Sequence, residues 1–264
     1  MRGVPPFAAH VVNRLRHSPP VNQFRYHFYR TVLSVPRRHE CNLCGWRGRH
    51  FLTFHHRHVL CPQCGSQIRH RLIGAALAHA PASTAGLAID GATVLHFAAE
   101  YCLASRFAPR ARRYVTADLL PDAGVRLDGT CMPFGAGLFD VVIACDVLEH
   151  IPDECAMLAE IRRVLKPGGV AVLTVPTADG VETTFEDPSI VSPEARERAY
   201  GQSDHVRLYG SDVATRVEAA GFAVSVVTRA SFPPALVERY VLHPPVTLPG
   251  PLGFNDRQVL FARA

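Results

Sequence analysis

Residues 139–175 read FDVVIACDVLEHIPDECAMLAEIRRVLKPGGVAVLTV, a pattern that predicts a strand, a helix and a second strand. The first strand, residues 140–145, is apolar after its first position, as expected for a strand buried on both faces. Asp153 is placed to cap the helix, and Lys166 lies in its last turn, before a Pro-Gly-Gly break. Residues 170–175 form the second buried strand. Strands joined by a helix of this length predict a parallel sheet with right-handed crossovers.

The same alternation of strands and helices extends on both sides of this unit. Further strands are predicted at residues 93–97, 114–117, 125–127, 222–228 and 258–262. Helices are predicted over residues 68–80, after the first strand to about residue 107, and after Ser211, which we expect to be an N-cap. The fold class is therefore α/β, a Rossmann-like, doubly wound and mostly parallel sheet. The predicted domains are a basic and aromatic arm (1–40), a zinc ribbon with the following helix (41–81) and a Rossmann-like domain (90–264).

The N-terminal part contains two matching cysteine pairs, Cys41 with Cys44 and Cys61 with Cys64, each followed by glycine. Each short spacing lets two thiolates bind one ion from a single turn, and four thiolates complete a tetrahedral zinc site with no open position. We therefore expect a structural zinc. The histidines between the pairs are alternative ligands: His55, His56 and His58. The remaining cysteines are expected to be small buried residues: Cys102, Cys131, Cys145 and Cys155.

The net charge of +5 is unevenly distributed along the chain. Residues 1–72 contain twelve arginines and one acid, Glu40, while the remainder has a formal charge of −6. This basic part predicts either phosphate binding or docking on the acidic remainder. The arginines and the tryptophan around the cysteines are compatible with nucleic-acid binding, a solvated face or a wall over an active site. No apolar run is long enough to span a bilayer and no secretory signal is evident, so a cytoplasmic protein without membrane partners is expected.

Three acids follow successive predicted strands at the edge where such sheets bind ligands. Glu100 follows the first strand, and Asp118 ends the second, where a carboxylate can accept both ribose hydroxyls of an adenosine. Asp128 follows the third strand and can accept from the adenine amino group. The sequence thus predicts an adenosine site across these strand ends.

Several motifs now indicate a family. The segments MPF at 132–134, LFDVVI at 138–143, DVLEHIPD at 146–153, IRRVLKPGG at 161–169 and DHVRLY at 204–209 together resemble class I methyltransferases of the methyltransferase-11 type. With the ribbon and Arg69-His70-Arg71, the chain is similar to a bacterial subgroup of zinc-ribbon methyltransferases. The resemblance covers roughly residues 90–230 and implies S-adenosylmethionine as the methyl donor. The implied cofactor-binding residues are His96, Ala98, Glu100, Asp118, Asp128, Gly129 and Asp146.

The sequence departs from the family at the turn after the first strand, where Ala98-Ala99-Glu100 replaces the usual glycines. S-adenosylmethionine has no pyrophosphate, so a phosphate-binding glycine loop is not required. The small alanines still allow close approach of the backbone, and Glu100 can hold the ammonium group. The alternative is that cofactor binding has been weakened or lost.

The acceptor side is predicted from the polar segments after the fourth and fifth strands. His205 and His150 are the candidate bases, Arg207 a candidate anchor for an anionic substrate and Tyr209 a further substrate contact. Residues 177–202 and 230–255 are the expected lid and acceptor-pocket elements. The leading hypothesis is methyl transfer to oxygen or nitrogen of a small-molecule acceptor. The alternatives are an RNA methyltransferase that uses its ribbon to bind nucleic acid, and a non-catalytic protein of this fold.

Overall fold

A computed structural model of the chain describes residues 38–54, 57–120 and 124–264. The predicted arm of residues 1–40 lies almost wholly outside the described residues, as do His55 and His56. In the described part, no helix is both long and apolar enough to cross a membrane.

The centre of the molecule is a seven-stranded sheet of the predicted Rossmann-like type. Its strands are β5 (Thr93–Phe97), β6 (Arg113–Asp118), β7 (Val125–Arg126), β8 (Phe139–Cys145), β9 (Leu165–Thr174), β10 (Ala223–Thr228) and β11 (Gln258–Arg263). They lie in the order β10-β11-β9-β8-β5-β6-β7. Neighbouring strands are parallel except at β11, which is antiparallel to both β9 and β10. The order reverses between β5 and β8, so ligand binding is expected where these two strands end.

Helices cover both faces of the sheet, as the uninterrupted apolar strands predict. They are α1 (Ile68–His79), α2 (Tyr101–Phe107), α3 (Glu154–Val164), α4 (Pro193–Tyr200), α5 (Val213–Ala219) and α6 (Pro234–Tyr240). Alternate strand residues serve the two faces: Val94 packs with α1, α2 and α6, whereas Leu95 packs with α3 and α5.

The cysteine module consists of two short hairpins that precede α1. Its strands are β1 (His39–Glu40), β2 (Arg47–Gly48), β3 (Leu52–Phe54) and β4 (Arg57–Leu60). Trp46 and Phe51 form its apolar centre, with ring centroids 5.1 Å apart, and belong to the same buried cluster as one face of the sheet. Gly74 lets the first cysteine turn lie against α1, because a Cβ there would come within 2.8 Å of the Leu43 side chain. The module is therefore packed onto the seven-stranded sheet by apolar contacts.

Most predicted elements are confirmed to within a few residues, including the Asp153 cap, whose carboxylate accepts from the Ala156 amide at 2.9 Å. The Ser211 cap is wrong. Asp212 is the N-cap position of α5, and the Ser211 hydroxyl instead donates to the Glu182 carbonyl. Lys166 also lies outside the helix, since α3 ends at Val164.

The structure places Lys166 and two of the four remaining cysteines differently from the sequence predictions. The Lys166 ammonium pairs with Asp140 at 2.6 Å, because β9 begins at once and runs beside β8. Cys102 and Cys145 are buried as predicted, but Cys131 and Cys155 are exposed. Cys155 belongs to α3 but not to the apolar stripe that this helix turns toward the sheet, and Cys131 lies in the loop after β7.

Candidate active site

Two strained backbone positions mark the point where the strand order reverses. Ala98 follows β5 with φ of +46°, and Asp146 follows β8 with φ of +52°. The left-handed region costs about 1–2 kcal/mol for a residue with a Cβ, and such strain tends to occur at binding and catalytic sites. The two residues end neighbouring parallel strands, so the turns that they form lie side by side.

The Asp146 carboxylate is the centre of one polar group at this edge. It accepts from the Thr174 hydroxyl at 2.8 Å, lies 3.2 Å from Arg69 Nη1 and forms a short contact with Arg257. Burial alone would raise the pKa of Asp146, but the cations Arg257 and Arg69 outweigh it and lower the pKa. The carboxylate is therefore charged at neutral pH.

Glu100 is the centre of a second polar group, one loop away. Its two oxygens contact His70 Nε2 at 2.9 Å and His96 Nε2 at 3.1 Å, and Arg69 Nη2 lies 3.6 Å away. Burial alone would raise the pKa of Glu100, but His70, His96 and Arg69 hold it well below the usual range. His96 is fully buried and also bonds the Tyr114 hydroxyl at 2.6 Å. His96 thus positions Glu100 rather than lining an open surface.

Arg69 joins the two groups and comes from α1, directly after the second cysteine pair. Burial would lower its pKa, but Asp146 and Glu100 raise it. Its Nε is buried and has no hydrogen-bond partner within the described part of the chain. A buried cation between two carboxylates suits the amino-acid end of S-adenosylmethionine, which carries both an ammonium and a carboxylate group. The donor set therefore fits this part of the implied cofactor.

The adenosine side of the predicted site is formed by the ends of β6 and β7. Asp118 is half-buried at the end of β6, and its Oδ1 accepts from the Leu120 amide at 3.1 Å. Asp128 is exposed, and its Oδ1 accepts from the amide and hydroxyl of Thr130 at 2.9 and 2.8 Å. Gly129 is tightly packed, because a Cβ there would lie 3.0 Å from Met157 Cε. Carboxylates at these strand ends are the acceptors that ribose hydroxyls and an adenine amine require.

The four ribbon cysteines lie as a tetrahedral metal site requires. Their sulfurs lie within 4.8 Å of one another, with Cys41 Sγ 3.7 Å from Cys64 Sγ and Cys44 Sγ 3.6 Å from Cys61 Sγ. Zinc–sulfur bonds of about 2.3 Å in a tetrahedron place neighbouring sulfurs about 3.8 Å apart. The glycines that follow each pair have φ of +75° and +71°, as expected for knuckle turns. The cysteine geometry therefore fits one zinc ion.

Glu149, His150 and His205 meet on the acceptor side, just beyond β8. A ligand atom from each lies within 4.8 Å of the others, and the two imidazoles pack edge to face with centroids 4.8 Å apart. Burial lowers the pKa of His205 to about 4, and the charge of His150 acts in the same direction. Burial, followed by the charge of Asp146, raises the pKa of Glu149 to about 8. Burial alone would lower the pKa of His150, but Asp204 raises it.

The structure gives the Arg207 guanidinium internal partners and buries the Tyr209 side chain. The Arg207 guanidinium donates to the carbonyls of Leu148, Ile151 and Pro152 at 2.7, 2.7 and 3.0 Å, and to Glu186 at 3.0 Å. Tyr209 is fully buried close to Glu154, and burial raises its pKa. Arg207 thereby holds in place the segment that contains Glu149 and His150. A substrate contact by either residue stays a prediction.

A groove of about 1080 Å³ lies between the two segments predicted as lid and acceptor-pocket elements. It is lined by residues 177–182 and 247–251 among others, and by Arg257, which also contacts Asp146. Arg257 and Glu149 were missed by sequence reasoning. Arg257 carries no local signal, whereas Glu149 stands next to His150 in the quoted motif and could have been found there.

Comparison with known proteins finds similarity in the central part of the chain. Residues 88–173 match the family model described as "Methyltransferase domain". An uncharacterized methyltransferase of Mycobacterium sp. (strain KMS) is 46% identical over 50 residues, 19% of this chain and 20% of that protein. One of Mycobacterium leprae (strain TN) is 37% identical over 68 residues, 25% of each chain. The chain thus spans about a fifth to a quarter of the length of these relatives.

Solved structures with a similar fold include two methyltransferases. An S-adenosylmethionine-dependent methyltransferase from Mesorhizobium loti is 20% identical, with a TM-score of 0.47 over 73% of this chain and 100% of that one. The Burkholderia thailandensis 1,6-didemethyltoxoflavin-N1-methyltransferase, solved with S-adenosylhomocysteine, is 18% identical, with a TM-score of 0.46 over 74% and 77% of the two chains. Residues 88–173, which include Glu100, Asp118 and Asp146, therefore carry the sequence pattern of a methyltransferase domain.

Proposed function

We propose that the chain is an S-adenosylmethionine-dependent methyltransferase that methylates oxygen or nitrogen of a small molecule. The supporting observation is that the acids at the carboxyl ends of β5, β6 and β8, namely Glu100, Asp118 and Asp146, all lie within the segment that matches the methyltransferase domain. In such a fold, ligands bind outside the carboxyl ends of the strands. The bound donor would supply an electrophilic methyl group on its sulfonium sulfur.

Different residues at this edge of the sheet would bind different parts of the methyl donor. Asp118 would accept from the ribose hydroxyls, and Asp128 from the adenine amine. Glu100 and Arg69 would hold the ammonium and carboxylate of the methionine end. His96 would keep Glu100 in place, and Ala98 with Gly129 would allow close backbone approach.

The acceptor would enter through the groove beside Arg257 and lie near His150 and His205. These imidazoles are the candidate groups for accepting a proton from a hydroxyl or amine. The protein otherwise contributes alignment of the nucleophile with the methyl carbon and exclusion of water.

The ribbon would hold one structural zinc, and its position supports a role in building the cofactor site. The second cysteine pair leads within six residues to Arg69 and His70, which contact Glu100. Several arginines of this region are engaged inside the chain: Arg57 donates to the carbonyls of Gly253 and Phe254, and Arg71 is fully buried. These contacts support docking on the rest of the chain more than they support the RNA-binding alternative.

An Asp118→Ala variant is expected to bind S-adenosylhomocysteine roughly 10- to 100-fold more weakly than the wild type, since two hydrogen bonds to a charged group would be lost. Isothermal titration calorimetry measures this. Asp90→Asn is the matched control, because Asp90 is an exposed acid that precedes β5, at the opposite end of the sheet, and pairs with Arg110. Equal affinity of the wild type and Asp118→Ala would place the donor elsewhere, and no binding by the wild type would favour the non-catalytic alternative.

A further inference from the structure

The cluster of Glu149, His150 and His205 has two buried polar atoms that the fold itself does not satisfy. Glu149 and His205 are each 1% exposed, and both Glu149 Oε2 and His205 Nε2 lack a hydrogen-bond partner among the residues that the structure describes. A buried polar atom without a partner costs about 1–3 kcal/mol. Two such atoms in one cluster, each an electron-pair donor, indicate a site built for a ligand that accepts electron pairs.

We propose that Glu149, His150 and His205 form a second metal site, which binds a divalent transition-metal cation such as Zn²⁺, Fe²⁺ or Co²⁺. Two imidazoles and one carboxylate favour these cations over Mg²⁺ and Ca²⁺, which prefer oxygen ligands alone. The site is separate from the four-cysteine ribbon and uses none of its residues.

The ligand atoms are close enough for one ion. One carboxylate oxygen of Glu149 and one ring nitrogen each of His150 and His205 lie within 4.8 Å of one another. Even at that full separation, an ion at the centre of the triangle would lie about 2.8 Å from each atom, so a shift of under about 1 Å per atom gives bonds of about 2.1 Å. Three protein ligands would leave positions open for a small molecule.

The contacts of the Nδ1 atoms of both histidines are also those expected of metal ligands. His205 Nδ1 lies 3.3 Å from the Tyr200 carbonyl, to which it can only donate, and this leaves Nε2 as an electron-pair donor. His150 Nδ1 lies 3.4 Å from Asp204 Oδ2, which similarly leaves its Nε2 for an ion. Metal-binding histidines almost always donate their second ring nitrogen to a carboxylate or carbonyl in this way.

The two segments that carry the ligands are fixed to each other. The Val206 amide donates to the Glu149 carbonyl at 2.9 Å, and Arg207 donates to the carbonyls of Leu148, Ile151 and Pro152. These bonds hold the residues next to His205 against both sides of Glu149 and His150. The ligand set is therefore preorganised by backbone contacts rather than by exposed side chains.

Metal binding would change how the acceptor side works, and this consequence rests on the proposed methyltransferase function. As ligands, His150 and His205 would not be free to accept a proton. A bound cation would instead lower the pKa of an acceptor hydroxyl placed at an open position. The binding proposal itself stands without this, because all three ligands belong to the chain.

Cobalt titration of the full-length, zinc-loaded protein tests the proposal. Co²⁺ is expected to bind as one further equivalent, with visible d–d absorption but without the thiolate charge-transfer band that exchange into the ribbon would produce. Glu149→Gln and His150→Gln are each expected to weaken this binding more than tenfold, with ribbon zinc content and circular dichroism unchanged. His79→Gln, a change of an exposed histidine on α1, should leave it unaltered.

Glu149→Gln keeps the shape of a buried side chain, and His150 is only half-buried, so both variants are expected to fold. Failure of the wild type to bind a second equivalent at millimolar Co²⁺ would overturn the proposal. So would undiminished binding in both folded variants. Neither result depends on S-adenosylhomocysteine affinity, which tests the proposed function separately.

Discussion

A Cys61→Ala variant is expected to lose the zinc ion and, with it, at least tenfold in affinity for S-adenosylhomocysteine. A module this small depends on its metal to fold, and structural zinc binding contributes about 10–16 kcal/mol in isolated peptides. Cys61 Sγ is buried 3.6 Å from Cys44 Sγ, and the segment after it leads into α1. Because Arg69 and His70 on α1 contact Glu100, a disordered ribbon would release the amino-acid end of the donor site.

Elemental analysis and calorimetry of the same preparation measure both effects. Cys155→Ala is the matched control, since Cys155 is an exposed cysteine on α3. It should keep the zinc content and the S-adenosylhomocysteine affinity of the wild type. A Cys61→Ala protein with full zinc content would contradict the structural-zinc proposal, and one that loses zinc but binds the donor normally would contradict the coupling to the cofactor site.

An Arg71→Met variant is expected to lower the free energy of unfolding by about 4 kcal/mol, near the upper end for a single substitution. Arg71 is fully buried and donates to the carbonyls of Val59, Ser66, Tyr240 and Val241 at 2.6 to 2.9 Å. These carbonyls belong to the ribbon and to the C-terminal end of α6 with the residue that follows it, so one guanidinium joins the two. Methionine fills much of the volume but leaves four buried acceptors without this donor.

Guanidinium denaturation of zinc-loaded protein measures this loss. Arg106→Met, at an exposed position on α2, should change the free energy by no more than about 0.5 kcal/mol. A loss of under about 1 kcal/mol for Arg71→Met would mean that the buried guanidinium does not hold the ribbon to the C-terminal segment.

The sheet could be predicted because its strands carry their own signal. Residues 93–97 and 140–145 are mainly apolar, and helices with apolar stripes separate them from the next strands, so the pattern of apolar residues locates them. The spacing of the four cysteines similarly predicts that their sulfurs lie together as a tetrahedral metal site requires. Asp118 was located by its place at a strand end, which requires only the order of the elements.

The contacts that shape the candidate site could not be read in the same way. Arg257 reaches Asp146 across more than a hundred residues of sequence, because β11 lies beside β9 with its start near the end of β8. Arg69 was noted as part of the Arg69-His70-Arg71 motif and as one of several arginines near the ribbon, without a role in the cofactor site. Its position between Glu100 and Asp146 depends on how α1 packs, and no local pattern encodes that packing.

The turn at Ala98, where the sequence departs from the family pattern, shows both what could and what could not be predicted from the sequence. The sequence showed that the usual glycines were absent, and it left open whether cofactor binding had been weakened or lost. Ala98 nonetheless adopts a φ of +46°, and its amide bonds the Ala117 carbonyl at 2.9 Å. The turn is thus kept without glycine. The left-handed backbone at Ala98 is strained, and the hydrogen bond to the neighbouring strand stabilises it.

A crystal structure of the protein with S-adenosylhomocysteine is the measurement that bears most directly on the donor site. The ribose hydroxyls are expected within hydrogen-bonding distance of the Asp118 carboxylate, with the amino-acid end of the ligand against Arg69 and Glu100. Clear density for the ligand away from the ends of β5, β6 and β8, with Asp118 making no contact to it, would contradict the proposed function of this chain.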